Sequence, residues 1–571
     1  MMDDPSKEVS RISGESIVTS DVGQDAVLIS VDKVSNDSSF KNQKNTVYDV
    51  FDFSDQSTLP FFEIQKNVID FQEKLVSATT EFPLLNKISP THISIMSKSL
   101  FYKLFDYFSE QWVNEQAMKK FVNVRFVTKG IKQKKFISFL RRIIPNVLYH
   151  WVFANADSLS YFRMRYALRG NETVAILNAT DSEGGRLKNL IFEKLPSSMT
   201  EKILPLVFVH DDVRMQLKRI VANMFSRTKQ KSIKAESFLT VAQVFVLSIK
   251  QFRHWFYLRS FITFLQTHRE FQGIVFDNKI RSIIRDWYAF DVFSIYEYRM
   301  IAEKLWKSGI TFAITDCDFA NKIGTIIWEL REKKVKTVAI QHGIMTEPYL
   351  YYPNADIFGC SSENAKALML DDGFDKERIF IAGLPPQLQK KTRRRTQQSF
   401  PFKIGLADSN DSFLIKLYRI KVLAHSQILH TYSQVYVRSH PSKRHSDGIV
   451  HFYNHQSFVF APKGETWDVF ATKVSFVISF SLDAAYEILQ RGIPVIVVDY
   501  YTSSPKALFN KKFYHARSVS TSKELDTAVE EIQNHPEWFP NEWEEVMKDL
   551  EYKFGNAQNN DIVNVISSEL D

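Results

Sequence analysis

Cysteine is nearly absent from this 571-residue chain, with Cys317 and Cys360 its only two. Two thiols cannot build a disulfide framework or, by themselves, a thiolate zinc site. The expectation is a pair of ordinary thiols in a reducing cytoplasm. Glycine and proline are also sparse, 18 of each, which excludes a collagen-like or wholly disordered polymer. Long apolar runs are missing. Val241–Ile249 and Ile493–Val498 fall well short of the ~18–20 apolar residues that a spanning helix needs. The opening Met-Met-Asp-Asp-Pro has neither the basic nor the apolar region of a secretory signal. No Walker-type phosphate loop, His-Glu-x-x-His or Gly-x-Ser-x-Gly occurs, which removes the usual NTPase, zincin and α/β-hydrolase readings. At ~100–200 residues per domain, the length predicts two to four soluble domains.

What the chain does have is apolar material, 44% of residues, and aromatics, 14%. Lys and Arg number 73 against 65 Asp and Glu, a formal net charge of +8. That is modest for the size and suits an anionic lipid, a polyanionic glycan or a nucleic acid without choosing among them. Two basic clusters concentrate it, Lys129–Lys135 with Arg141 and Arg142, and Lys390–Arg395.

Residues 1–46 are rich in Ser, Asp and Lys with one aromatic, Phe40, a composition that predicts a mobile, disordered tail. Beyond Val47 aromatics are dense, and Ser97–Phe108 and Phe136–Phe153 read as buried helices. After Leu206, short β-branched runs alternate with amphipathic stretches, the pattern of a parallel α/β sheet. Predicted strands cover Ile310–Thr315, Val335–Ile340, Ala355–Cys360 and Arg378–Ala382, with helices Phe319–Lys333 and Ser362–Asp371 between them. A polar, basic linker, Gln387–Phe400, follows. The alternation then restarts with strands Phe402–Ala407, Gln434–Ser439, Ser457–Ala461, Val474–Phe480 and Ile493–Asp499. Helices are predicted at Phe413–Leu429, Leu482–Arg491, Lys523–Asn534 and Glu542–Phe554. The domain expectation is a tail (1–46), an acceptor-side α/β domain with helical insertions (47–395) and a nucleotide-donor domain (396–571).

Ligands of open parallel sheets bind beyond the carboxyl ends of the strands. The groups predicted there are Asp316 and Asp318; Gln341, His342 and Gly343; Arg438, His440 and Pro441; and Ser479, Ser481 and Glu487. Gly343 lets the backbone turn and approach a ligand, and an imidazole at His342 can take a hydroxyl proton near neutral pH. Pro441 ends its strand, and Arg438 and His440, two apart, share a face suited to a phosphate oxyanion. Ser481 is a natural N-cap for a helix whose apolar stripe is Leu482, Ala485, Tyr486 and Leu489. Asp316-Cys-Asp318 has the D-x-D spacing that some transferases use for a metal, a pattern also expected by chance about once at this acidic content.

Together, Thr315-Asp-Cys-Asp318, the run ending Gln-His-Gly343, Ala355–Ser362, Ile379–Pro385, Arg438-Ser-His-Pro441 and Ser479–Glu487 resemble bacterial surface-polysaccharide glycosyltransferases of the GT-B fold. That group includes capsule Kdo transferases, bacterial sialyl- and polysialyltransferases and CDP-glycerol glycerophosphotransferases. The likeness spans Glu297 to Asp499, about a third of the chain. It implies an α/β, GT-B-like chain of two Rossmann-type domains facing a cleft, with an extra aromatic-rich, mainly helical N-terminal region. It further implies Gln341, Gly343 and Glu297 on the acceptor side, and His342, Asp316 or Asp318 as the catalytic base. Arg438, His440, Pro441, Ser479, Ser481 and Glu487 would hold the donor. The implied reaction moves a sugar, Kdo or another ulosonic acid, from a CMP-linked donor to a glycan or lipid-linked glycan, with no metal and no cofactor. The alternatives are a CDP-glycerol-type transferase or a non-catalytic binder of anionic polymer, nucleic acid or membrane. Because the polar groups converge at strand ends, a nucleic-acid partner is not expected. The expected location is cytoplasmic, at the inner face of the membrane.

Overall fold

The computed structural model describes residues 16–20, 25–30, 61–86, 88–120, 123–127, 173–178, 202–207, 233–234, 238–315, 321–341, 354–371, 373–383, 403–409, 434–439, 457–462, 465–499, 516–535 and 538–554, with positions 415, 418, 419, 422, 423 and 425–432. The chain forms two compact units. One comprises Met1–Ile69, Tyr102–Ile131 and Lys390–Leu550; the other comprises Asp70–Phe101, Lys132–Gln389 and Glu551–Asp571.

Among the described residues three sheets run along the sequence. The first holds β1 (Ser16–Ser20), β2 (Asp25–Ser30) and β3 (Asn123–Val127). β1 is antiparallel to β2, and β2 is parallel to β3. Two of these strands fall inside the segment that composition reads as a disordered tail. The departure has a local cause, since Ile17-Val18 and Val27-Leu-Ile29 are short β-prone runs that a 46-residue average hides.

The second sheet holds β4 (Val174–Asn178), β5 (Ile203–Val207), β6 (Ile233–Lys234), β7 (Phe312–Thr315), β8 (Lys336–Ile340), β9 (Ile357–Cys360) and β10 (Ile379–Ile381). Its spatial order is β10-β9-β8-β7-β4-β5-β6, and every pairing is parallel. The third holds β11 (Ile404–Ala407), β12 (Gln434–Arg438), β13 (Ser457–Phe460), β14 (Phe476–Ser479), β15 (Val495–Val498) and β16 (Ala516–Val519). Its order is β13-β12-β11-β14-β15-β16, again all parallel. Counted from its own first strand, each sheet reads 3-2-1-4-5-6, the Rossmann order, with one further strand on the second sheet. The chain is therefore α/β in class, with two Rossmann-type sheets.

Burial follows strand position. β7, β11, β14 and β15 are buried throughout, as parallel strands covered on both faces must be. β13 is an edge strand, and Val459 and Phe460 on it are exposed. Gly359 in β9 has a packing reason, since a Cβ there would lie 2.8 Å from both Ala382 Cβ and the Phe380 ring. Beside it Cys360 is buried, and burial pushes its thiol up to about 12.

Helices α7 (Asn321–Glu332) and α8 (Glu363–Asp371) lie between strands of the second sheet. The helical, aromatic-rich region is built from α1 (Phe61–Glu81), α2 (Pro90–Ser97), α3 (Phe101–Lys120), α4 (Val241–Thr267), α5 (Asn278–Asp286) and α6 (Phe293–Lys307). The sequence reads one helix start at Ser97, whereas α2 begins earlier, at Pro90, and a tight turn at Lys98–Leu100 leads into α3. Phe136–Phe153 lies outside the described residues. Phe261 stacks on Tyr288 with ring centroids 4.4 Å apart, and Phe82 meets Phe261 edge-on at 5.1 Å. Such pairs add ~0.5–1.5 kcal/mol beyond the area they bury. His254 of α4 sits in the same cluster, ringed by Tyr288, Phe293 and Tyr296.

Burial, reinforced by Arg253 and Lys250, pushes His254 down to about 4. An unfolded-state histidine titrates near 6.5. The folded protein therefore disfavours the proton, and stability is full above pH ~6.5 and falls as pH drops towards 4, by roughly 3 kcal/mol from this group. His254→Gln removes that component. Its stability deficit against the wild type, followed by urea unfolding, is expected to shrink across pH 6.5 to 4. A constant deficit would exclude the titration.

Candidate functional site

The order of the third sheet reverses between β11 and β14, so crossovers leave on opposite faces and a crevice opens at the carboxyl ends of those two strands. The register places the groups there. Ala407, last in β11, pairs with Arg438 of β12 on one side and with Ser479 of β14 on the other. Arg438 and Ser479 thus stand level, two strand spacings or ~10 Å apart.

β14 leads into α10 (Leu482–Leu489) through a closed turn. The Ser479 hydroxyl donates to the Ser481 carbonyl at 2.7 Å and accepts from the Ser481 N–H at 3.2 Å. Ser481 is the N-cap, its Oγ accepting from the Ala484 N–H at 3.4 Å. Ser479 therefore shapes the turn, and Ser481 caps the helix whose first N–H groups open at the crevice. The Phe480 N–H donates to the Ala407 carbonyl at 2.9 Å, fixing that turn against β11.

Arg438 is half-buried. Its guanidinium lies 3.7 Å from the ring centroid of Trp467, and one terminal nitrogen donates to the Glu465 carbonyl at 2.9 Å. Its Nε is buried and has no hydrogen-bond partner among the described residues. Burial pulls Arg438 below its ordinary value, while Glu487 and Glu465 oppose that and Arg491 adds to it. Glu465 pairs with Lys473 at 2.5 Å. Glu487 lies 3.7 Å from Arg491, which holds Asp468 at 2.8 Å. Arg491 thereby ties α10 to α9 (Trp467–Lys473), and the Glu487 carboxylate is part of that link. Sequence reasoning missed Trp467, Glu465 and α9. The signal available was Thr466 as N-cap followed by Asp468 in the first turn.

It also missed Arg419. This guanidinium is buried and joins three strand ends. Nε donates to the Val498 carbonyl at 3.1 Å, a terminal nitrogen donates to Ser409 Oγ at 2.8 Å, and the group lies 5.4 Å from the Phe480 ring. Tyr418 beside it donates to the Ser520 carbonyl at 2.5 Å.

In the second sheet the order reverses between β4 and β7. Gln341 follows β8 and is buried. Its Oε1 accepts from the Ser361 N–H at 2.9 Å, so the side chain links the ends of β8 and β9. Glu297 is buried on the inner face of α6 with Tyr298 and Ile301. Asp316, Asp318, His342, Gly343, His440, Pro441 and both basic clusters lie outside the described residues. Among the described residues no group of three or more His, Cys, Asp or Glu comes together as a metal site, and no helix is long and apolar enough to cross a membrane.

No protein-family model matches the chain, and no curated protein matches it. Several solved structures are similar. The S. aureus MnaA–UDP co-structure is 13% identical over 70% of this chain and 97% of its own, with a TM-score of 0.41. The lipopolysaccharide outer core galactosyltransferase WaaB, in its apo form, is 12% identical over 70% and 99%, with a TM-score of 0.40. UDP-GlcNAc 2-epimerase from Neisseria meningitidis bound to UDP-GlcNAc is 12% identical over 70% and 99%, with a TM-score of 0.39.

Replacing Arg419 by Met is expected to destabilise the fold by about 3 kcal/mol, since it strips a charged donor from the buried Val498 carbonyl and Ser409 hydroxyl. Arg419→Lys cannot span both acceptors and is expected to recover only part of the loss. Urea midpoints at constant slope measure both. Wild-type midpoints would show the bonds to be dispensable.

Proposed function

We propose that this chain is a glycosyltransferase that takes its sugar from a nucleotide-activated donor held at the β11/β14 crevice. The observation that carries the reading is Arg438, level with Ser479 across β11, with a buried N–H that nothing in the described protein accepts. A buried donor left open at the carboxyl edge of a Rossmann sheet, next to a helix N-terminus, suits a phosphate oxygen. In this reading His440 and Pro441 continue the phosphate side, Ser481 aims the helix at it, and the leaving phosphate's charge is met by Arg438. The donor-binding portion is 396–571, most of which belongs to the unit holding the third sheet, and the acceptor-side portion is 47–395, most of which belongs to the unit holding the second.

The base that removes the acceptor hydroxyl proton is His342, with Asp316 or Asp318 as the competing carboxylates. The resemblance of Arg438-Ser-His-Pro441 to the His-Pro motif of CMP-sugar enzymes favours a CMP-linked ulosonic acid such as Kdo. The acceptor is a surface glycan or a lipid-linked glycan at the inner face of the membrane. No step needs a metal.

Calorimetry and product release separate the parts. Arg438→Gln is expected to weaken binding of free CMP or CDP roughly ten- to hundredfold, the scale of one charge-assisted hydrogen bond. His342→Ala is expected to keep that affinity and lose turnover by ~100-fold or more. A release assay over CMP-, CDP-, UDP- and GDP-linked donors names the nucleotide. If Arg438→Gln binds every nucleotide as the wild type does, the donor site is elsewhere.

A further inference from the structure

Trp467 is placed by its own neighbours in the sequence. The Glu465 N–H donates to the Pro462 carbonyl at 3.0 Å and closes a turn, and Thr466 caps α9, its Oγ accepting from the Val469 N–H at 3.4 Å. Trp467 then takes the first helical position. Phe470, one turn on and fully buried, meets the indole edge-on at 5.8 Å. Glu465 is held by Lys473 from the far end of the same helix, and Asp468 is held by Arg491. The helix is anchored through Phe470, whereas the indole itself is only half-buried.

The indole face carries Arg438, whose guanidinium carbon lies 3.7 Å from the ring centroid. A second contact comes from the same turn, where the Glu465 carbonyl accepts from a terminal nitrogen of Arg438 at 2.9 Å. Ring and carbonyl together fix the plane and the rotation of the guanidinium before any ligand arrives. What they leave open is Nε, buried and without a hydrogen-bond partner among the described residues. An arginine held only to support the fold would be oriented to satisfy that N–H, since a buried donor without an acceptor is a net cost. The orientation seen here satisfies the stack and the carbonyl instead.

We propose that Trp467 is a positioning residue of the nucleotide site, acting through Arg438: its ring holds the guanidinium in the orientation that presents the Nε–H to a donor phosphate oxygen, while the indole makes no contact with the nucleotide. Freezing a long, rotamer-rich side chain at the moment of binding costs affinity, and a chain already stacked does not incur that cost again. The proposal rests on the donor-site reading given above, and its test separates the two.

Calorimetry on the full-length protein tests it through a double-mutant cycle, with CMP and UMP as phosphate-bearing probes and cytidine and uridine as their phosphate-free controls. Trp467→Leu is expected to weaken nucleotide binding roughly three- to tenfold, the scale of ordering one long side chain, and to leave nucleoside binding unchanged. Trp467→Phe keeps an aromatic face and is expected to recover most of the loss. In an Arg438→Gln background, Trp467→Leu is expected to cost nothing further, because no guanidinium is left to position. Trp467→Met gives the same readings should the leucine variant fail to fold. A loss shared by nucleotide and nucleoside, or equal in both backgrounds, makes Trp467 a structural or base-contacting residue and overturns the proposal. So does wild-type nucleotide binding by Trp467→Leu beside weakened binding by Arg438→Gln, which leaves the donor site standing and removes the tryptophan from it. Nucleotide binding by Arg438→Gln at wild-type strength, or none by the wild type, overturns the donor-site reading and this proposal with it.

Discussion

A parallel sheet cannot be closed by hairpins. Each strand must be reached by a crossover, and right-handed crossovers leave one place in the sheet where successive connections part to opposite faces. In the third sheet that place is the gap between β11 and β14, and in the second it is the gap between β4 and β7. The other features at the third sheet's opening are consequences. Arg438 and Ser479 stand level because both strands register on Ala407, and Arg419 is buried because it bridges the strand ends around the same opening.

The charges beside that opening form a chain rather than isolated pairs. Lys473 holds Glu465, the Glu465 carbonyl holds Arg438, Trp467 backs the guanidinium, and Arg491 joins Asp468 to Glu487. Exposed ion pairs contribute little on their own. Here the geometry matters more than the energy, because a stacked guanidinium loses less freedom when it captures an anion. The arrangement orients one cation at the crevice while its neighbours neutralise each other.

Much of this was legible in the residues. β8, β9, β12, β14 and β15 fall within the apolar runs that predict them, and Ser481 caps α10 as its position implies. β4 escaped notice although it is central, because Val-Ala-Ile-Leu is only four apolar residues with polar stretches on both sides and no flanking helical period. β16 is shorter still in apolar content, Ala-Arg-Ser-Val, and is a strand because β15 offers it a partner. Arg419 and Gln341 could not be read as buried from type alone, since both are usually solvated. Their burial depends on strand ends brought together from distant parts of the chain.

The exposed edge of the third sheet has a bearing on solubility. Among the described residues β13 has a strand partner on one side only, with Val459 and Phe460 exposed, which is the kind of margin that recruits a strand from another molecule. Its length limits the hazard. Four residues offer too short a ladder for stable intermolecular pairing, and Pro462, two positions beyond its end, has no N–H with which to prolong it. The same short strand that closes the sheet's order also keeps its open margin from acting as a template for self-association.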